Sequence, residues 1–283
     1  MTPECQRWRD RRDSYRPAGE VIATQDYTVA RLASDAVAKA FVQQHHYSGT
    51  YPAARTRVGL YRHAALVGVA VFSVPCNAKA LTSVFPGDPR DSVELGRFVL
   101  LDDVPANGET WFLARCFELL RRDGYRGVVS FSDPTPRTDC AGRVVFPGHL
   151  GTIYQAHNAQ YLGRGTARTL RLLPDGSVMS ARSIQKIRSG ERGWRYSAAL
   201  LAVAGAGAPP AGDRGAWLCA SLARVTRRLV HPGNHRYAWP LRRGVQLGMT
   251  AGRYPKPGVQ GDLANPERRV NENNANTEAP PGE

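Results

Sequence analysis

The sequence predicts an α/β protein built on a mixed sheet with both faces at least partly covered. Three observations carry this. Short runs rich in β-branched and aromatic residues alternate with amphipathic helical stretches over residues 34–180. Turn residues separate them, as at Pro174-Asp175-Gly176. A 42% apolar content over 283 residues is enough for a sizeable core, and there is no internal repeat.

The elements follow in order. Ser34 has the chemistry of a helix N-cap, and Val37, Ala40 and Phe41 make an apolar stripe behind it. That helix should end near His45, with Gly49 available for a left-handed stop. "TRVGLYR" and "ALVGVAVFSV" read as two strands joined by a tight turn at 62–65, and 75–92 as loop. "VELGRFVLL" (93–101) is a strand, "ANGET" (106–110) a helix start, and "WFLARCFELLRRDG" an amphipathic helix stopping at Gly124. "GVVSFSD" (127–133) is a short buried strand, 151–161 a helix, and "TARTLRLL" with "SVMS" a hairpin. Residues 181–188, 194–204 and 216–230 read as helices. Four regions follow: a disordered basic arm (1–18), a core (19–180), a basic helical extension packed on it (181–250) and a disordered polar tail (251–283).

Charge and cysteine usage narrow the partners. The formal charge is +14. Residues 180–243 hold twelve Lys and Arg against Glu191 and Asp213, a net +10, so the basic character is local and suits a polyanion. Five scattered cysteines without a CxxC spacing exclude a zinc ribbon and fit a reducing compartment. The charged N-terminus lacks a leader pattern and no apolar run spans a bilayer, which predicts a cytoplasmic protein with no membrane partner.

Several constellations could carry chemistry. "HHYSG" (45–49) crowds His46, Tyr47 and Ser48 at a helix end. Asp133 closes a strand in "SFSDPTPRTD", and carboxyl ends of strands are where open α/β sheets bind ligands. Tyr154, His157 and Asn158 share one helical face, with Tyr161 a turn further. Asn107, Gly108, Glu109 and Thr110 offer backbone amides to an oxygen or phosphate. His45, His46, Asp133, His149 and His157 contain two histidines and a carboxylate, the set non-haem iron uses, although no HxD or HxxxH spacing occurs. Arg224, Arg227 and Arg228 fall on one helical face, and His235, Arg236 and Tyr237 interleave cations with aromatics, a pattern suited to nucleic acid.

With these pieces in place, the sequence resembles the Mom family of bacteriophage DNA-modification proteins, divergent relatives of the GNAT acyltransferase fold. The resemblance runs through "HHYSG", "ELGRFVLLDDVPANGETWFLARCF", "GVVSFSDPTPRT", "KIRSGERGW" and "HPGNHRYAW", and covers about residues 40–242. It implies a GNAT-like core with "ELGRFVLL" as its splayed strand. It also implies conversion of adenine N6 in double-stranded DNA to N6-(methylcarbamoyl)adenine, a change that shields phage DNA from host restriction. "VPANGET" lacks the R/QxxGxG/A pattern that grips coenzyme A pyrophosphate. The donor is therefore expected to be acyl-coenzyme A-like or glycyl-type, with non-haem iron kept as an option and no metal assigned to a residue.

On that reading Asp133 is the first candidate base and His46 the second, with Tyr47, Ser48 and Tyr154 beside them. Arg97, Phe98, Val99, Asn107, Gly108, Glu109, Thr110, Ser130 and Asn158 would hold the donor. Lys186, Arg188, Arg224, Arg227, Arg228, His235, Arg236 and Tyr237 would hold DNA, and a homodimer is allowed. The alternatives are a GNAT-fold acyltransferase acting on a small amine or protein, and a non-enzymatic DNA-binding protein.

Overall fold

The computed structural model describes residues 4–9, 12–17 and 20–256. The chain divides into a unit ending at Gly252 and a second beginning at Arg253, so most of the polar tail lies outside the described residues. Strands β1 (Glu4–Arg9) and β2 (Arg12–Pro17) pair antiparallel where the sequence reads as an unfolded basic arm. Then follow β3 (Tyr27–Arg31), α1 (Asp35–His45), β4 (Ala54–Arg62), β5 (Ala65–Ser73), α2 (Lys79–Thr82), β6 (Ser92–Leu100), α3 (Gly108–Arg122) and β7 (Gly127–Ser132). The C-terminal half adds β8 (Arg137–Thr138), β9 (Val144–Phe146), α4 (Thr152–Ala156), β10 (Gln160–Arg164), β11 (Arg168–Leu172) and β12 (Val178–Met179). It ends with α5 (Ala181–Ser189), α6 (Trp194–Leu201), α7 (Arg214–Val225), β13 (Arg227–His231) and β14 (His235–Pro240).

Seven strands form the main sheet, in the order β10-β14-β7-β6-β5-β4-β3. Every neighbour is antiparallel except β6 and β7, which run parallel for three residue pairs, Ser92–Glu94 against Gly127–Val129, and then part. This is the strand splay expected of a GNAT-like core. The Ser130 hydroxyl donates to the Leu95 carbonyl at 3.0 Å, where the parting begins.

Strand alternation feeds two faces. Ala70 and Phe72 of β5 point to α3, whose Phe112, Leu113, Cys116, Phe117 and Leu120 are all buried. Val69 and Val71 point to the other face, against Ala38, Phe41 and Val42 of α1. The stripe of α1 is thus Ala38, Phe41 and Val42, and Val37 of the expected stripe is 50% exposed. A second cluster joins Ile187, Ala198, Leu201, Leu218 and Leu222 of α5–α7 to Leu173 and Met179.

Besides the β1–β2 pair and α2, which forms inside the expected loop 75–92, three stretches depart from the sequence reading. The expected helix 151–161 closes at Ala156, because Asn158 takes a left-handed φ of 57°, which asparagine tolerates, and the chain continues as β10. The expected helix 216–230 stops at Val225. Thr226 is extended, and "RRLVH" pairs with β11, so cross-strand packing outweighs helix propensity. Finally, β14 comes from the stretch read as a separate extension, yet it lies in the main sheet between β10 and β7.

Candidate functional site

A cavity of about 360 Å³ opens beside the splayed strands. Its walls come from β6 (Glu94 to Leu100), the C-terminal end of β7 with Asp133, the end of α1 (His46, Tyr47), and the segment from Phe146 to Tyr154. Of the residues expected in a site, it gathers Asp133, His46, Tyr47, Tyr154, Arg97, Phe98, Val99 and Glu109.

Asp133 is held from three sides. Its Oδ2 accepts from Arg137 Nη1 at 2.7 Å, and its Oδ1 accepts from the Thr135 amide at 3.0 Å and faces His231 Nε2 at 2.8 Å. The Gly233 amide donates to His231 Nδ1 at 3.0 Å, so the ring proton sits on Nε2 and is donated to Asp133. Gly233 itself is required: its φ is +99°, and a Cβ there would meet the Gly165 carbonyl oxygen at 2.0 Å. Burial works to raise the Asp133 pKa, but the Arg137 charge and these hydrogen bonds outweigh it and hold the carboxyl below the usual range. So paired, the carboxylate holds Arg137 and His231 in place. Arg137 also lies over the Phe146 ring, 4.1 Å from its centroid.

The α1 end supplies the mouth of the cavity. His46 caps α1, and its Nδ1 accepts from the Ser48 amide at 3.2 Å and faces the Ser48 hydroxyl at 2.9 Å. Nδ1 is thus an acceptor and the proton sits on Nε2. Burial, helped by the nearby Arg97 and His149, drives the His46 pKa down to about 3. Burial likewise takes His149 down to about 4, Asp133 opposing it and Arg137 adding to it. Gly49 then turns the chain at φ +56°. The Tyr47 ring is 38% exposed and lies 4.3 Å from His46 and 5.1 Å from Phe146 by ring centroids, a slab with one free edge. Arg97 ties this loop to β6: its Nε donates to the Thr50 carbonyl at 2.8 Å and its Nη2 to the Thr50 hydroxyl at 2.6 Å.

The residue that sequence reasoning missed is Glu94. It lines the cavity at the last paired position before β6 and β7 part, and its carboxylate makes no hydrogen bond among the described residues. Burial raises its pKa, with Arg97 opposing. Tyr154 stands close enough for the Glu94 charge to help hold its phenol protonated, after the larger effect of burial. The only signal in the sequence was an acidic residue inside a run that otherwise reads as buried strand, "SVELGRFVL".

Other expected residues lie elsewhere. Asn107 Oδ1 accepts from the Ile22 amide at 2.7 Å rather than capping α3, and Glu20 accepts from the Ala106 amide at 3.0 Å. Glu109 is buried in the first turn, where a negative charge suits the helix dipole. Acidic groups therefore already serve this helix start, and Gly108 packs against Val104. The Thr110 hydroxyl donates to the Asn107 carbonyl at 3.1 Å. Ser48 and Ser130 support cavity residues from behind. Asn158 is not a cavity residue, and neither is Tyr161, whose hydroxyl faces His235 Nδ1 at 2.8 Å.

His235 and Tyr237 are 1% and 0% exposed within β14, which removes both from any surface offered to nucleic acid. Arg236 is half-buried over Phe131. Arg227 donates to the Thr138 carbonyl at 2.7 Å and Arg224 to the Gly205 carbonyl at 2.8 Å. Arg188 and Arg228 are exposed and Lys186 is half-exposed.

Among the described residues no three His, Cys, Asp or Glu side chains are grouped to hold a metal. Of the set the sequence offered, His46 Nδ1 is engaged with Ser48, and both Asp133 oxygens with Arg137, Thr135 and His231. No helix among the described residues is long and apolar enough to cross a membrane.

Comparison with known proteins adds the following. An N-acetyltransferase from Staphylococcus aureus Mu50 aligns over 76% of this chain and 99% of its own, at 9% identity and a TM-score of 0.35. A tandem GNAT protein from the clavulanic acid biosynthesis pathway aligns over the same shares, at 9% identity and a TM-score of 0.39. No curated protein matches the chain. The profile of the Mom protein family matches residues 26–256, a span that takes in the whole seven-stranded sheet and every cavity residue. The chain belongs to the Mom protein family.

Proposed function

We propose that this chain is a transferase that modifies adenine at its exocyclic N6 in double-stranded DNA, yielding N6-(methylcarbamoyl)adenine and shielding phage DNA from host restriction in the host cytoplasm. The observation that carries the reading, beside family membership, is the cavity. It holds a carboxylate free of hydrogen bonds among the described residues, at the strand splay, with aromatic rings at the mouth. Adenine N6 is a poor nucleophile, because its lone pair is delocalised into the ring. It needs a base, a pocket outside the stack and a positioned donor.

Glu94 is the base in this reading. It takes the N6 proton as N6 bonds to the carbonyl carbon of a glycyl donor and the donor's carrier leaves with the electron pair of the broken acyl bond; the resulting N6-glycyl adenine is an isomer of N6-(methylcarbamoyl)adenine and reaches it by rearrangement. The raised pKa of Glu94 suits this proton transfer better than does the ion-paired Asp133. Tyr47 offers its free ring edge to the flipped base. Arg97 orients the donor, which is of the acyl-coenzyme A or glycyl type. His46, neutral and protonated on Nε2, serves as a hydrogen-bond donor. The exposed cations of α5 and β13 hold the DNA backbone.

The test is nucleoside mass spectrometry on plasmid DNA from cells expressing the protein. A heavier deoxyadenosine is expected, with fragmentation separating methylcarbamoyl from isomeric glycyl adducts. Unmodified deoxyadenosine together with acylation of a small amine or a protein would favour the acyltransferase alternative.

A further inference from the structure

Strands β11 and β13 form an antiparallel ribbon whose register sets Arg171 directly opposite Arg228. Like charges in that position repel and destabilise the pair unless an anion lies between them. Among the described residues neither guanidinium has an ion pair or hydrogen bond. Other arginines nearby are served: Arg137 by Asp133, Arg182 by Glu191, Arg224 by Gly205 and Arg227 by Thr138. The next pair on the same face, Thr169 and Val230, is exposed, Val230 at 77%.

The opposite face of the ribbon reaches the cavity. Arg168 and His231 are paired there. Arg168 donates to Asn234 Oδ1 at 3.2 Å and His231 holds Asp133, and both Asn234 and Asp133 line the cavity.

We propose that the outer face of the β11–β13 ribbon is a docking surface for the phosphate backbone of double-stranded DNA, with Arg171 and Arg228 gripping one phosphate between them. The proposal rests on the reading that DNA is the substrate. It adds Arg171, and it makes a sheet face the contact element where the sequence predicted a helix over 216–230. Guanidinium forks match phosphate oxygens in two-point contacts, and a phosphate between the two arginines removes their repulsion.

The test uses the full chain and a fluorescein-labelled 30-base-pair duplex, with anisotropy titrations over a salt series. The R171A/R228A variant should lower the slope of log affinity against log salt by about 2, a loss of roughly 60-fold in affinity at 0.1 M salt. R115A/R122A removes the same charge from the exposed side of α3 and should leave the slope unchanged. R171K/R228K keeps the charge and should retain most of the slope. The R228A single variant keeps the test decisive if the alanine pair fails to fold. Its slope should fall by about 1, and a slope equal to that of the parent chain would overturn the ribbon. Equal slopes for R171A/R228A and the parent chain would overturn it too, while leaving DNA as the substrate. If the parent chain does not bind the duplex at all, the DNA reading fails and the ribbon with it.

Discussion

His231 Nε2 lies 2.8 Å from Asp133 Oδ1, and the backbone amide of Gly233 fixes which nitrogen carries the proton. A strand that begins in the basic stretch thus ends by orienting a carboxylate on the wall of the cavity, 98 residues away in sequence. The same carboxylate holds Arg137 against Phe146. Asp133 thus holds Arg137 and His231 together, and its loss should be felt in folding as well as in turnover.

Asp133→Asn leaves Arg137 without its counter-charge at a site where both side chains are largely buried, 17% and 12% exposed. The expected cost is about 3 kcal/mol, the low end for a broken buried pair. The pH dependence carries the sign. Because the folded pKa of Asp133 is lowered, its contribution is present above the ordinary carboxylate value of 3.8 and is lost as pH falls through the folded value. Thermal midpoints of the parent chain and the variant should converge as the pH is lowered. A gap that is constant from pH 7 to below 3 would contradict the assignment.

Glu94→Gln should abolish most modification, by about 10²–10⁴-fold if Glu94 is the base. Its raised pKa gives a second readout that needs no donor. A carboxyl with a raised folded pKa favours folding below its unfolded value of 4.5 and loses that contribution as pH rises through the folded value. The raised pKa thus costs the fold stability at neutral pH. The glutamine variant should melt higher than the parent chain at pH 7 and no higher at pH 4. Full modification by the variant would remove Glu94 from the chemistry, and an unraised melting point at pH 7 would refute the burial argument.

How much of this was legible in the sequence depends on range. Periodicity and turn chemistry placed α1, β4 to β7 and α3, because those signals are local. Family-like motifs brought His46, Tyr47, Arg97, Asp133 and Tyr154 to one cavity. Cross-strand pairing is not local, so β13 read as the end of a helix and β14 as part of an extension. The interleaved "HRYAW" looked like a stacking surface, yet strand alternation and two flanking strands bury His235 and Tyr237. Glu94 was hidden for the same reason. What sets it apart is the splay beyond it and a carboxylate with no hydrogen bond among the described residues, and spacing reports neither.

His46 is expected to stay neutral, with its proton on Nε2, throughout the physiological range. Its folded pKa of about 3 lies below the ordinary 6.5, so its neutral form favours the fold above 6.5 and that contribution is lost as the pH falls toward about 3. His149, at about 4, adds in the same direction. Long-range ¹⁵N–¹H correlation spectra should show Nδ1 as the unprotonated nitrogen of His46 and no titration between pH 8 and 5. A midpoint near 6.5 would mean that the ring is solvated and that the Ser48 contacts do not hold it.

Tyr47 separates stacking from hydrogen bonding. Its hydroxyl is 3.4 Å from His149 Nε2, too long for a strong bond, whereas its ring packs against His46 and Phe146 with an exposed edge. If the ring is the platform for the flipped adenine, Tyr47→Phe should modify DNA nearly as well as the parent chain. Tyr47→Ala should lose about 1–3 kcal/mol of base stacking, roughly 5- to 150-fold in product formed per unit time. Modified deoxyadenosine counted by mass spectrometry at matched protein levels makes the comparison. If Tyr47→Phe falls as far as Tyr47→Ala, the phenol itself is needed and the platform assignment is wrong. If both retain activity, the adenine stacks elsewhere, and Phe146, whose ring packs against Tyr47 inside the cavity, is the one to replace next.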